Sequence, residues 1–239
     1  MKHVALQWRV AFAVSALGIT ACGGDLTLPG PGLALTVVEG NGQQGTVGEE
    51  LPSVLVVQVK SDEGTPLPDQ RVVFSSDTPG DQFEPDTAVT DASGKAFTRW
   101  VLGTQPGPYA GEASVLAPSG DSAVTSKDLL ADAVAGEPDT LRAGGPTTQS
   151  GNRERPLDEP LRVVVVDRYG NPVEGADVNW SLEDEGEGSL SDTHTLTAPD
   201  GTSAVTWTLG GRLGVQRAEA RVNGKASGSP LTFTAVVFF

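Results

Sequence analysis

The chain carries one passage twice. Residues 167–180 read Asp167-Arg168-Tyr169-Gly170-Asn171-Pro172-Val173-Glu174-Gly175-Ala176-Asp177-Val178-Asn179-Trp180, and upstream stands Gly64-Thr65-Pro66-Leu67-Pro68-Asp69-Gln70-Arg71-Val72-Val73-Phe74. Gly64 matches Gly170, Pro66 matches Pro172, Leu67 matches Val173, Val72 matches Val178 and Phe74 matches Trp180, all at an offset of 106. Each copy couples a Gly/Pro turn to a run in which apolar and polar residues alternate, the period of a half-buried strand. Two copies of a turn and strand, about one small domain apart, call for two units of the same build.

The correspondence extends to both sides. Leu35 and Gly45 match Leu141 and Gly151 at the same offset, and the β-branched runs Val54–Val59 and Pro160–Val166 both precede the turn. Downstream, Thr90-Asp91-Ala92-Ser93-Gly94 answers Thr197-Ala198-Pro199-Asp200-Gly201. Trp100-x-Leu102-Gly103 answers Trp207-x-Leu209-Gly210 at an offset of 107, so one residue is inserted in the loop between. Strands are expected over 33–38, 54–59, 70–76, 96–103, 113–116 and 129–134, and over their second-copy equivalents. The segments 40–48 and 77–86 read as loops, and Gly107-Pro108-Tyr109 as a turn. With 30 glycines and 17 prolines among regularly spaced Val, Leu, Phe and Trp, the composition suits many short strands joined by turns.

These readings give an all-β chain of two tandem β-sandwiches with Greek-key wiring, each of about 100 residues and roughly seven strands. The first covers 33–135 and the second 136–239, with a short acidic junction at Gly136-Glu137-Pro138-Asp139. Duplicated aromatics read as core: Trp100 and Trp207 at one equivalent place, Phe74 and Trp180 at another.

The pattern Asp167-x-x-Gly170-Asn171-Pro172-Val173-x-Gly175-x-x-Val178-x-Trp180, then Thr197-x-x-Asp200-Gly201 and Trp207-x-Leu209, resembles the bacterial immunoglobulin-like domains of invasins and intimins. The first copy departs from it, with Thr65 for Asn171, Pro68-Asp69 for Glu174-Gly175, and Asp62-Glu63 ahead of its turn. The resemblance implies an immunoglobulin-like sandwich of spacer or adhesive character, in which stacked domains hold a binding tip away from a bacterial surface.

The N-terminus has the layout of an export signal. Lys2, His3 and Arg9 give a positive start, Val10–Ile19 is apolar but too short to span a bilayer, and Ile19-Thr20-Ala21-Cys22 follows. That ending resembles a bacterial lipobox, which implies a signal peptide over 1–21, lipidation at Cys22 and a flexible tether over 22–32. An ordinary signal peptide cleaved nearby is the alternative reading. Gly23 after the cysteine implies outer-membrane sorting in a cell that has such a membrane. The expected localisation is therefore exported and anchored to the cell envelope by lipid.

Charge and residue counts narrow the function. Without Lys2 and Arg9, 14 basic residues face 31 acidic ones, a net charge of −17. Such a chain is repelled by phosphate backbones, so no nucleic-acid partner is expected, and attachment to a membrane has to come from the acyl anchor. Cys22 is the only cysteine, and His194 is the only histidine after the signal, so neither an internal disulfide nor a zinc site can be assembled. No nucleophile elbow or phosphate loop occurs. The acidic runs Glu183-Asp184-Glu185-Gly186-Glu187 and Asp158-Glu159 offer oxygen ligands of the kind calcium takes, but their spacing matches no EF-hand. No catalytic residue, cofactor or metal is expected, and the chain reads as a non-enzymatic spacer or adhesion module with a protein or glycan partner on the cell surface. The alternative is a carbohydrate-binding or accessory subunit of a surface enzyme or export complex, for which an exposed row of aromatics would speak. Tyr109 and Tyr169 are the tyrosines available for such a row.

Overall fold

Alternation along each strand decides what is inside. Ala96, Thr98, Trp100 and Leu102 are all buried while Phe97 and Arg99 between them face out, as the sequence pattern requires. The structure, a computed structural model, describes residues 32–117 and 123–239. The expected signal peptide (1–21), Cys22 and the tether (22–32) lie outside the described residues, save Gly32. Leu33–Phe239 forms one compact unit, whose described residues are all in strands and loops.

Nine strands build the first sandwich: β1 (Leu33–Glu39), β2 (Gln43–Thr46), β3 (Leu55–Ser61), β4 (Arg71–Ser76), β5 (Gln82–Glu84), β6 (Thr87–Val89), β7 (Lys95–Val101), β8 (Gly107–Leu116) and β9 (Ala123–Val134). One sheet runs β1-β3-β7-β5 and the other β2-β9-β8-β4-β6, with β2 parallel to β9 and the other pairings antiparallel. The second sandwich repeats this with β10 (Thr140–Ala143), β11 (Thr148–Asn152), β12 (Leu161–Val166), β13 (Asp177–Leu182), β14 (Gly188–Leu190), β15 (His194–Leu196), β16 (Thr202–Val205), β17 (Trp207–Leu209), β18 (Gly214–Val222) and β19 (Leu231–Phe238). Its sheets are β10-β12-β16, continued by the pair β14-β17, and β11-β19-β18-β13-β15. Strands β16 and β17 together take the place of β7. Neighbours in the sheets are rarely neighbours in sequence, which is the Greek-key crossing between two packed layers.

Each sandwich has its own core. Trp100, Phe74, Phe83, Leu55 and Leu129 meet in the first, and Trp207, Trp180, Phe233, Leu161 and Leu209 in the second. Trp100 and Trp207 are fully buried, as expected of duplicated aromatics. Burying one such side chain stabilises a core by several kcal/mol; truncation to alanine costs about 3–5.

Several segments differ from the sequence reading. The expected loop 40–48 contains β2, and the loop 77–86 contains β5; both are short strands that carry few apolar residues because they pair at sheet margins. The expected turn at Gly107-Pro108-Tyr109 is the start of β8. Proline at 108 lies beyond the pairing with β4, which covers Gly111–Val115, so the strand is bordered there by β9 alone.

Candidate functional site

The central turn is built identically in both copies. Gly170 N donates to the Asp167 carbonyl at 3.0 Å and Asp167 N to the Asn171 carbonyl at 2.9 Å; Gly64 N donates to Ser61 and Ser61 N to Thr65 in the same way, at 2.8 and 2.9 Å. Gly170 and Gly64 sit at φ of 85° and 84°, a left-handed conformation that glycine takes without strain. Behind the turn, the Thr197 hydroxyl accepts from Ala176 N and donates to the Val173 carbonyl. Thr90 does the same for Gln70 and Leu67.

The side chains on this shared backbone differ, and the difference makes a joint. Asp167 is 2 % exposed and Asn171 5 %. One Asp167 oxygen accepts from Tyr169 N at 2.8 Å and Asn171 N at 2.9 Å, which closes the turn on itself. The other oxygen accepts from the Asn171 amide at 2.9 Å and from Gly136 N at 3.0 Å, in the stretch that leaves the first sandwich. The Asn171 amide nitrogen also donates to the Thr104 carbonyl, in the β7–β8 loop of the first sandwich, at 2.8 Å. Tyr169 reaches across to Gly48, where a Cβ would fall on the tyrosine hydroxyl, and the Arg168 guanidinium lies 4.7 Å from its ring centre. In the first copy the matching residues are Ser61, Glu63 and Thr65, and the one side-chain bond is Thr65 N to the Ser61 hydroxyl at 3.3 Å.

Burial raises the proton affinity of the Asp167 carboxyl, but the hydrogen bonds from Asn171, Gly136 and Tyr169 outweigh it and hold the group below the usual aspartate value. The carboxylate is thus charged, fully hydrogen-bonded and closed to any reacting group. Beside it runs an open cleft of about 410 Å³, whose lining includes Thr46, Glu49, Glu137 and Glu174. Among the described residues no group of three His, Cys, Asp or Glu comes together as a metal site.

The remaining candidates lie apart from one another. His194, on the edge strand β15, hydrogen-bonds Asp177 on β13; the histidine is exposed and the aspartate half-buried. In the acidic loop, Glu187 is buried. It accepts from Glu183 N and Asp184 N at 3.1 Å each and pairs with Arg212 at 2.9 Å, so its oxygens are engaged within the fold. Its carbonyl takes the Trp207 indole N–H at 2.9 Å. Tyr109 is buried with its hydroxyl donating to the Gln105 carbonyl, so it offers no exposed ring; Tyr169 is 38 % exposed but belongs to the joint. No helix among the described residues is long and apolar enough to cross a membrane.

Sequence reasoning treated Asp167 and Asn171 as builders of a repeated corner and missed that they connect the two sandwiches. The available signal was a departure between the copies: Thr65 stands where the second copy has Asn171.

No family model and no curated protein matches the sequence. Solved structures do match. FdeC, an Escherichia coli adhesin, is similar at 19 % identity over 86 % of this chain and 64 % of that one, with a TM-score of 0.54. InvD of Yersinia pseudotuberculosis is similar at 17 % identity, covering 85 % and 57 % of the two chains, with a TM-score of 0.46. The D00-D0 domain of intimin is similar at 16 % identity, covering 87 % and 100 %, with a TM-score of 0.44. The likeness to FdeC shows the fold of this chain, an all-β arrangement of immunoglobulin-like sandwiches.

Proposed function

We propose that the chain is a non-enzymatic module of the cell envelope, a lipid-anchored pair of immunoglobulin-like sandwiches that serves as a spacer in adhesion. The observation that carries this reading is the joint. A spacer has to transmit position from its base to its far end, and that requires the sandwiches to be fixed against one another. Five side-chain hydrogen bonds at the Asp167–Asn171 corner serve that purpose, one reaching the first sandwich at Thr104 and one the junction at Gly136. Buried and charge-assisted bonds of this kind are each worth about 1–3 kcal/mol against leaving the partner unsatisfied. The fold shared with FdeC, itself an adhesin, agrees with this reading.

In the same proposal the first sandwich ends at residue 135 and the second starts at 136. Residues 1–21 are removed on export, and Cys22 carries the lipid. An acyl anchor is required because the acidic surface gives no attraction to anionic lipid. The partner is a protein or glycan on the cell surface. Cys22→Ala tests the anchor: the variant should move from the membrane fraction to the soluble fraction with its fold unchanged, and persistence in the membrane would remove the lipoprotein reading.

A further inference from the structure

The far end of the second sandwich is a backbone copy of the end of the first that receives the corner. Val47 N donates to the Val134 carbonyl at 3.0 Å, and Arg153 N to Phe238 at 3.0 Å. Leu102 N donates to Glu49 at 3.0 Å, and Leu209 N to Arg155 at 3.0 Å; Leu51 N donates to Trp100 at 2.9 Å, and Leu157 N to Trp207 at 2.9 Å. Between these fixed points stand Gly48 and Glu154, both left-handed, at φ of 70° and 59°. The backbone at the two places is therefore the same, and the residue is not. At 48 the absence of a side chain leaves room for the Tyr169 hydroxyl; even one carbon there would occupy its place. At 154 stands a glutamate, exposed, with its carboxylate beside Gly211.

We propose that position 48 is the specificity-determining position of the joint. Glycine makes the end of the first sandwich a docking surface for a corner of the form Asp-x-Tyr-Gly-Asn, and Glu154 closes the matching end of the second sandwich to such a corner. The occupant to which this surface is fitted is the chain's own Asp167-Arg168-Tyr169-Gly170-Asn171. The surface supplies the gap at Gly48 and the Thr104 carbonyl for the asparagine amide, and the junction beside it supplies the Gly136 N–H for the aspartate. The corner of the first sandwich cannot serve as a second occupant. Ser61 has no carboxylate to reach a partner N–H, Thr65 has no amide, and Glu63 has no ring. Corner and socket are thus complementary at one boundary, so a copy of this chain does not add to the far end of another through this contact. The inference rests on the two sandwich ends and holds whether or not Cys22 is lipidated.

The test is a double-mutant cycle in the full chain, read by 15N relaxation. With the joint formed, β1–β9 and β10–β19 tumble with one rotational correlation time. Gly48→Glu should give the two sandwiches separate, shorter correlation times, while each keeps its own dispersed spectrum. Adding Tyr169→Ala to Gly48→Glu should bring back the single value, because the Asn171–Thr104 and Asp167–Gly136 bonds can form again once the ring is gone. Glu154→Gly should change nothing at the joint. If Gly48→Glu disorders the first sandwich, Gly48→Ala takes its place, with partial loosening and the same rescue expected. An unchanged single correlation time in Gly48→Glu overturns the inference. So does a double variant as loose as Gly48→Glu alone, which would mean that the ring is not what position 48 admits or refuses.

Discussion

The Asn171 amide of the second sandwich donates to the Thr104 carbonyl of the first at 2.8 Å, from a side chain that is almost wholly buried. This contact turns a repeated corner into a connection. Asn171→Ala removes the donor and leaves both the Thr104 carbonyl and one Asp167 oxygen short of a partner, at a cost of about 1–3 kcal/mol. Denaturant unfolding should show the loss. Thr65→Ala, at the equivalent corner, should cost no more than a few tenths, because its side chain has no such partner.

Acid should weaken the joint. The Asp167 carboxyl is held below its ordinary value of 3.8, so it adds stability at neutral pH that disappears as pH falls through that folded value. Asp91 and Asp200 are also held low, each by hydrogen bonds from the residue two positions on: Ser93, aided by Lys95, and Thr202. Stability should therefore be flat from neutrality to about pH 5 and fall below it. Asp167→Asn should lower stability at pH 7 and shrink the acid limb, leaving the part that Asp91 and Asp200 supply. Thermal unfolding between pH 2.5 and 7 reads both effects.

The duplicated tryptophans are not equally satisfied. Trp207 gives its indole N–H to the Glu187 carbonyl at 2.9 Å, whereas the Trp100 indole nitrogen is buried without a partner. Both Trp→Phe replacements lose packing, but only Trp207→Phe also loses a hydrogen bond and strands a carbonyl. Trp100→Phe should be the milder change by about 1–2 kcal/mol. Equal losses in two parallel unfolding curves would contradict that bond's contribution.

Glu187 is the buried carboxylate of the acidic loop and closes it by holding Arg212 and two backbone N–H groups. Glu187→Ala should destabilise the second sandwich by roughly 2–3 kcal/mol, since all three donors lose a charged partner. Removing the neighbouring, exposed Glu185 should change stability by no more than about 0.5 kcal/mol. Calcium titration followed by thermal shift checks the loop's other reading. A loop that holds its own arginine should show no saturable stabilisation.

Periodicity made the sandwiches legible. Long strands such as β7 and β12 alternate apolar and polar residues or are apolar at all but one position, and Trp100 recurs as Trp207. The short marginal strands β2, β5 and β14 were not legible, because three or four residues with one buried side chain or none carry no period. The joint was hidden for a different reason. A search for repeats values what the copies share, and the shared residues Gly64/Gly170 and Pro66/Pro172 build only the turn. The connection is carried by positions where the copies disagree: Ser61 against Asp167, Glu63 against Tyr169, Thr65 against Asn171, and Gly48 against Glu154. Such differences read as drift until the structure brings them to one boundary.

The most direct test of a fixed joint is the set of residual dipolar couplings of the wild-type chain, fitted separately for β1–β9 and β10–β19. One alignment tensor should describe both sandwiches in the orientation that places Asn171 on Thr104 and Asp167 on Gly136. Two tensors of different magnitude would mean that the sandwiches move independently, and would contradict the spacer account.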